Sequence, residues 1–452
     1  MFTSYKVIML LMKFFLVKQA ITAKLKLELS DSQKQLVRQT TLAYRDALNY
    51  ASHVAFENNK MSSGVALQKK VYHQLRSVFG LPAQMSCNVP RQVGATYKSL
   101  WTKVKQNSEA IKSGRTKKRY KGLDSAPKFV SRTCALNYKR DYSFVKDKVS
   151  LITLSGRIKV NYSGYNKHLE LIKKGVKIGA ASIWYDKSKK NYYLLVSLNL
   201  EVPEIKPEDI KQIKGVDVGQ RYLAVATNIQ NQTQFFSGKQ VRHKADKYHK
   251  ARKSLQQKGT RSAKRRFISL SGRERRFTAD VNHLISKKIV SPNTLIGLEN
   301  LLHIRERITR RSNKKASSKQ RKANRNRSLW AFAELHSYCD YKAILSGSLA
   351  VKVPAQLTSQ CCPKCGHVSK QNRPNKGLTF SCVACNHTLH ADLVGARNVA
   401  LRTMLLRQDF ESTGRISAVP DVSHEETKAN YLSRFLELRW SADAIPTFSE
   451  AR

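Results

Sequence analysis

Hydrophobic and polar residues alternate over 23–29 (AKLKLEL), placing Leu25, Leu27 and Leu29 on one face of a half-buried strand. The period then lengthens. Ser30 and Gln33 form a capping-box pattern, and Leu36, Thr40, Ala43, Ala47, Ala51 and Val54 make a helical stripe. A second helix carries Leu67, Val71, Leu75 and Phe79, and a third, starting after Pro90, carries Val93, Tyr97, Leu100 and Val104. A basic, glycine-containing loop over 108–122 closes this module. Strands follow at 143–149, 157–162, 181–185 and 192–200, the last two joined by the turn DKSKKN. The pattern predicts an all-β, barrel-like unit whose first strand is 23–29, with the helices inserted into it.

After a charged linker, IKGVDVGQRYLAVAT reads as strand, glycine turn and strand. A helical period covers 277–290, TLIGLEN (294–300) is a short buried strand, and LAVKVP (349–354) is another. Trp330, Phe332, Leu335 and Tyr338 mark a helix to about residue 346, and the last clear helix spans 392–406. The stretch 305–327 is rich in Ser and Asn and reads as a flexible loop. Residues 407–452 lose the basic excess and read as a mobile tail with one short helix near 431–438. At the other end, the apolar run 7–17 is broken by Lys13 and too short for a membrane span. It is read as part of a leader, 1–22, with a buried N-terminal strand as the alternative.

Charge changes this outline from a scaffold into a polyanion binder. The 452-residue chain carries 83 Lys and Arg against 31 acids, a net charge of +52, with 41% hydrophobic residues. A globular chain this basic is held against its own repulsion by a polyanionic partner, and nucleic acid fits. Residues 239–276 alone hold fifteen Lys and Arg against two acids, and 305–327 hold eleven against one. Basic and aromatic residues also interleave at Lys128, Phe129, Tyr138, Lys139, Arg140 and Tyr142, a mixture suited to phosphate contact and base stacking.

Two clusters carry chemistry. Cys362/Cys365 and Cys382/Cys385 are Cys-x-x-Cys pairs with sixteen residues between them. That spacing matches a tetrahedral zinc site closed by four thiolates, hence a structural one in a reducing compartment. Pro363 and Gly366 shape the first knuckle, and Asn386 takes the position after the second pair where positive φ is needed. Cys361, His387 and His390 stand close by in sequence and are read as non-ligands. The second cluster is acidic. Asp217 lies between Val216 and Val218, Glu299 ends a strand, and Asp392 heads the last helix. Three carboxylates gathered on one α/β sheet need cations to stay ionised together. Two magnesium ions would answer that need and supply phosphodiester hydrolysis.

GVDVGQRYLAVAT, IGLENL, LTSQCCPKCG, SCVACN and HADLVGARNVA together resemble the motifs of the TnpB family, insertion-sequence-encoded relatives of the type V CRISPR effectors. The resemblance runs from about Lys24 to Leu406 and is strongest from Gly215 onward. It implies a multidomain α+β fold. A β-barrel wedge domain (23–30 and 123–204) would hold an inserted helical recognition module (31–122). An RNase H-like RuvC nuclease domain (211–355 and 388–406) would hold an inserted zinc ribbon (356–387), with 407–452 as the tail. It implies an RNA-guided DNA endonuclease of a mobile element, with an element-end guide RNA and a double-stranded DNA target as partners. The protein would be cytoplasmic and nucleoid-associated, without a membrane partner; the oligomeric state is left open by the sequence, with a monomer favoured. Carried over by motif, Asp217, Glu299 and Asp392 would bind two catalytic Mg2+, and Cys362, Cys365, Cys382 and Cys385 one structural Zn2+. The family's third motif commonly has Asn where Val394 stands here. The alternatives are a guided DNA-binding repressor with weak or no cleavage, and an accessory protein of transposition.

Overall fold

The computed structural model describes residues 16–114, 116–301, 304, 317–329, 331–374, 377–414, 416 and 425–440. The chain divides into two units, one formed by residues 20–200 and the other chiefly by the residues from 201 onward.

In the first unit β1 (Leu16–Glu28) leads into three helices, α1 (Asp31–Glu57), α2 (Gly64–Ser77) and α3 (Ala83–Lys112). The capping box at Ser30 forms as expected, with both Ser30 and Gln33 side chains engaged. Six more strands complete the sheet: β2 (Thr133–Leu136), β3 (Tyr142–Val145), β4 (Lys148–Thr153), β5 (Gly156–Ser163), β6 (Lys177–Asp186) and β7 (Asn191–Pro203). A short helix, α4 (Asn166–Lys173), joins β5 to β6. The strand order is β2-β6-β7-β1-β5-β4-β3. The Tyr142 hydroxyl of β3 donates to Gly179 O of β6 at 2.7 Å, drawing the far edge of the sheet toward the opposite side, so the sheet is barrel-like. Leu25, Leu136, Leu151 and Leu194 of the sheet and Tyr44, Leu75 and Tyr97 of the helices share one core.

Three expectations are corrected here. The first strand begins at Leu16, so the end of the expected leader is strand, while residues 1–15 lie outside the described residues. The third helix starts at Ala83 and runs through Pro90. Its buried stripe, Met85, Val89, Val93 and Tyr97, continues at helical spacing across the proline, and that packing outweighs the lost backbone hydrogen bond. The strand expected at 143–149 is a hairpin of β3 and β4, because Lys146 turns the chain at φ 53°.

The second unit is built on a five-stranded sheet of order β10-β9-β8-β11-β12. Its strands are β8 (Gln212–Asp217), β9 (Tyr222–Asn228), β10 (Thr233–Ser237), β11 (Thr294–Asn300) and β12 (Leu349–Pro354). β8 pairs antiparallel with β9 and parallel with β11, and β11 pairs parallel with β12. β11 is buried at all positions but Asn300, which explains its apolar run, whereas β8 is buried at Ile213, Gly215 and Val216 only. Between β10 and β11 lie three helices, α5 (Lys239–Lys258), α6 (Arg261–Leu270) and α7 (Arg273–Ile289). α8 (Ser318–Leu329) and α9 (Phe332–Leu345) precede β12.

Part of the expected flexible loop is therefore helix α8. Ser317 accepts from the Gln320 N–H at its start, and Arg325 and Lys322 pair with Asp246 of α5. The rest of that stretch, and Trp330, lie outside the described residues. The ribbon carries a small hairpin, β13 (Thr379–Ser381) with β14 (Thr388–His390), and runs straight into α10 (Ala391–Thr413). α11 (Glu425–Glu437) lies in the tail, and the described residues 425–440 pack onto the preceding helix. In this segment Phe435 and Trp440 are buried, and Leu438 packs with Trp440 against Ala400 and Leu401 of α10. Among the described residues no helix is long and apolar enough to cross a membrane.

Candidate active site

Two glycines set the acid site. Gly215 of β8 and Gly297 of β11 are register partners in adjacent parallel strands. A side chain on Gly215 would collide with the backbone of Ala396 and Ala400, and one on Gly297 with Thr403. The pair makes a trough in the sheet, and α10 lies in it with its backbone against the strands. Side chains two residues apart on a strand face the same way. Asp217 and Glu299, each two residues beyond its glycine, therefore rise on the face that α10 covers. Asp392 sits in the first turn of that helix. One turn on, Gly395 leaves room for the Asp217 carboxylate, since a Cβ there would sit 3.0 Å from Asp217 Cγ.

The electrostatics follow from this crowding. Glu299 is buried and Asp217 half-buried. The two carboxyl groups share a hydrogen bond. Burial, then the charges of Glu299 and Asp392, push Asp217 well above the usual carboxylate range. Burial also raises Glu299, opposed by hydrogen bonds from Thr358 and Asp217 and by the nearby Arg402 charge. Without a cation, burial and mutual repulsion favour a protonated form of the pair, most strongly at Asp217. Arg373, from the ribbon, favours the ionised form of Asp217, and its buried Nε has no hydrogen-bond partner among the described residues.

A frame of residues that the sequence motifs did not single out holds Glu299. Thr358 Oγ1 donates to Glu299 Oε1 at 2.8 Å. The buried Arg402 of α10 donates to Pro354 O and, at 2.7 Å, to Gln356 O. Asn398 donates to Thr358 O at 2.7 Å and to Cys361 O at 2.8 Å. One face of α10 thus fixes the link between β12 and the ribbon. Thr358 and Asn398 both stand inside the quoted motifs, so composition marked their neighbourhood while only the fold shows their partners.

The four cysteines come together as the spacing requires. Cys362 and Cys385 Sγ are 3.7 Å apart, Cys365 and Cys382 Sγ are 3.5 Å apart, and all four sulfurs lie within 4.8 Å of one another. Among the described residues this is the one group of three or more His, Cys, Asp or Glu gathered so closely; the three acids are more loosely placed. Gly366 and Asn386 take positive φ, 78° and 55°, as the knuckles demand. Burial pushes the Cys362 thiol up to about 12. Burial acts the same way on Cys382, but the backbone N–H groups of Cys385 and Ala384 outweigh it and bring that thiol down to about 7. A thiolate-ready sulfur among close thiols fits a bound metal ion. Cys361, His387 and His390 stay outside the set.

Val394 also has its explanation. It is fully buried among Cys362, Phe380, Cys382 and Ala391, so an apolar side chain joins α10 to the ribbon core. The helix start is capped instead by His390, whose Nδ1 accepts from the Asp392 N–H at 3.2 Å.

A family model described as Cas12f1-like, TNB domain matches residues 332–399, from α9 through the ribbon into α10. The particular relatives agree with it. The chain is 27% identical over 275 residues to a TnpB-like protein of Methanocaldococcus jannaschii, covering 57% of this chain and 91% of that one. It is 25% identical over 279 residues to the CRISPR-associated endodeoxyribonuclease Cas12f1 of Sulfoacidibacillus thermotolerans, covering 57% of this chain but only 60% of the relative. The solved mini-RNA-guided endonuclease CRISPR-Cas phi3 shares the fold at TM-score 0.50 and 11% identity, covering 86% of this chain and 93% of that one. The likeness to TnpB proteins carried by the motifs is borne out.

Proposed function

We propose that this chain is an RNA-guided DNA endonuclease whose RuvC-like site is Asp217, Glu299 and Asp392. The observation that supports this reading best is the crowding of Asp217 and Glu299 on one sheet face, with Asp392 presented to them by a helix seated on two glycines. A crowded carboxylate pair that burial still pushes up, despite the nearby charges of Arg373 and Arg402, is a site that asks for cations. Two Mg2+ ions bound by the three acids would supply an activated water and a charge sink for the leaving phosphodiester oxygen.

The remaining chemistry belongs to the chain. Bound cations would favour the ionised form of Asp217, which burial and its neighbours otherwise disfavour. Thr358 and Arg402 keep Glu299 turned into the site. Gly395 allows the Asp217 carboxylate to approach the helix start. Cys362, Cys365, Cys382 and Cys385 would hold a structural Zn2+ that closes the ribbon beside Asp392. The net charge of +52 and the basic stretch 239–276 neutralise nucleic-acid phosphates. The barrel-like unit with its helices would grip the guide–target duplex, in a cytoplasmic, nucleoid-associated protein.

The test is expression of the chain together with the DNA that flanks its gene, followed by purification and sequencing of the RNA retained. With that RNA, Mg2+ and a matched duplex, the expected outcome is cutting of both strands. Retention of a specific RNA with tight target binding and no cutting would instead make the protein a guided repressor.

A further inference from the structure

The segment 425–440 lies beyond the motif resemblance, and its described residues meet the β9–β10 turn, the ribbon and α10. Trp440 is buried and donates twice. Its backbone N–H bonds Pro363 O of the first knuckle at 2.7 Å, and its Nε1 bonds Asn231 Oδ1, in the turn between β9 and β10, at 2.8 Å. Arg397 of α10 donates to the same Asn231 Oδ1 at 3.1 Å and lies 5.1 Å over the Trp440 ring. One indole therefore joins the sheet turn, the acid-bearing helix and the ribbon.

Its neighbours extend the joint. The guanidinium of Arg402 lies 4.9 Å over the ring of Phe435, and Arg402 is the residue that fixes the 354–356 backbone beside Glu299. Arg439 lies where a side chain on Gly366 would fall. Arg434 pairs with Asp409 of α10 at 3.0 Å.

We propose that residues 425–440 are a positioning clasp for the acid site, with Trp440 as its central residue. This rests on the nuclease reading of Asp217, Glu299 and Asp392. α10 carries Asp392 and Gly395, β9 pairs with the strand that ends in Asp217, and the ribbon leads directly into Asp392. A shift between any two of these elements changes the separation of the carboxylates. Trp440 and Phe435 remove that freedom without contacting substrate. They act through Arg397 and Arg402 as outer partners act on a metal site.

The test uses the full, zinc-loaded chain and Mn2+ as the probe, followed by electron paramagnetic resonance titration. W440A is expected to weaken Mn2+ binding about tenfold, the scale usual for loss of an outer partner. W440F, which keeps the ring beneath Arg397, is expected to recover most of that loss. Asn231→Gly removes the shared acceptor at an exposed turn whose φ of 64° suits glycine, so it carries the test if W440A fails to fold. It is expected to weaken Mn2+ binding with zinc content unchanged. Mn2+ affinity equal to wild type in W440A and Asn231→Gly, alongside its loss in Asp217→Asn, overturns the clasp. Weakened Mn2+ binding only together with lost zinc overturns it too, because the segment would then merely hold the fold. Mn2+ binding that survives Asp217→Asn unchanged overturns the acid site itself.

Discussion

The acid site and the cysteine site lie at opposite ends of one short path, from Glu299 through Thr358 and Cys361 to the knuckles, and both crowd groups that repel one another when ionised. They do so by different means. The thiols are gathered by local turns, within 24 residues of sequence, and each knuckle is closed by its own backbone hydrogen bonds, such as Cys362 N to His367 O at 2.9 Å and Cys382 N to His387 O at 3.0 Å. The carboxylates come from positions 217, 299 and 392 and meet only because two glycines let a helix settle on a sheet. A site made of local turns should fail locally. A site made of sheet, helix and ribbon should feel changes anywhere along those elements.

The largest break expected on the cysteine side is Cys382→Ser. Structural zinc contributes about 10 kcal/mol or more of apparent binding free energy in small knuckle domains. The variant should lose its zinc, measured by metal analysis, and expose the ribbon to protease near 379–390, while the first unit unfolds as in wild type. Full zinc content in this variant would contradict the four-cysteine set.

A smaller effect separates the two sites by pH. In the metal-free chain Asp217 releases its proton near pH 3.8 when unfolded but holds it to a higher pH when folded. The stability that this proton contributes is complete below that range and is lost as pH rises through the folded value, at about 1.4 kcal/mol for each pH unit of difference. Thermal unfolding of metal-free protein should therefore show a midpoint falling as pH rises, and millimolar Mg2+ or Asp217→Asn should remove that slope. The ribbon should show no such dependence while zinc is bound. A slope of the same size in Asp217→Asn would assign it elsewhere.

This contrast also explains what could be read from residues alone. The knuckles were legible because spacing alone defines them, down to the positive φ of Gly366 and Asn386. The three acids stood out as candidates because Asp217 interrupts an apolar strand, Glu299 ends one, and Asp392 heads a helix directly after the ribbon. Their frame did not. Arg402 and Asn398 look like ordinary polar positions on a helix, and their backbone partners lie 37 to 48 residues away. Trp440 meets Asn231 across 209 residues. In the first unit, Pro90 read locally as a helix start, and only packing shows that the helix passes through it. Likewise Val394 stood out as a departure until its burial against Cys362, Phe380 and Cys382 gave it a role.

The central claim, that Asp217, Glu299 and Asp392 act together on metal, is tested most directly by cleavage rates of the three single alanine variants, each assembled with the same copurified RNA and matched duplex in Mg2+. Each variant is expected to retain RNA and target binding and to lose cutting by about a thousandfold or more, because a metal ligand removed from such a site removes several kcal/mol of transition-state stabilisation. Wild-type cutting in any one of the three, with binding intact, would contradict the account.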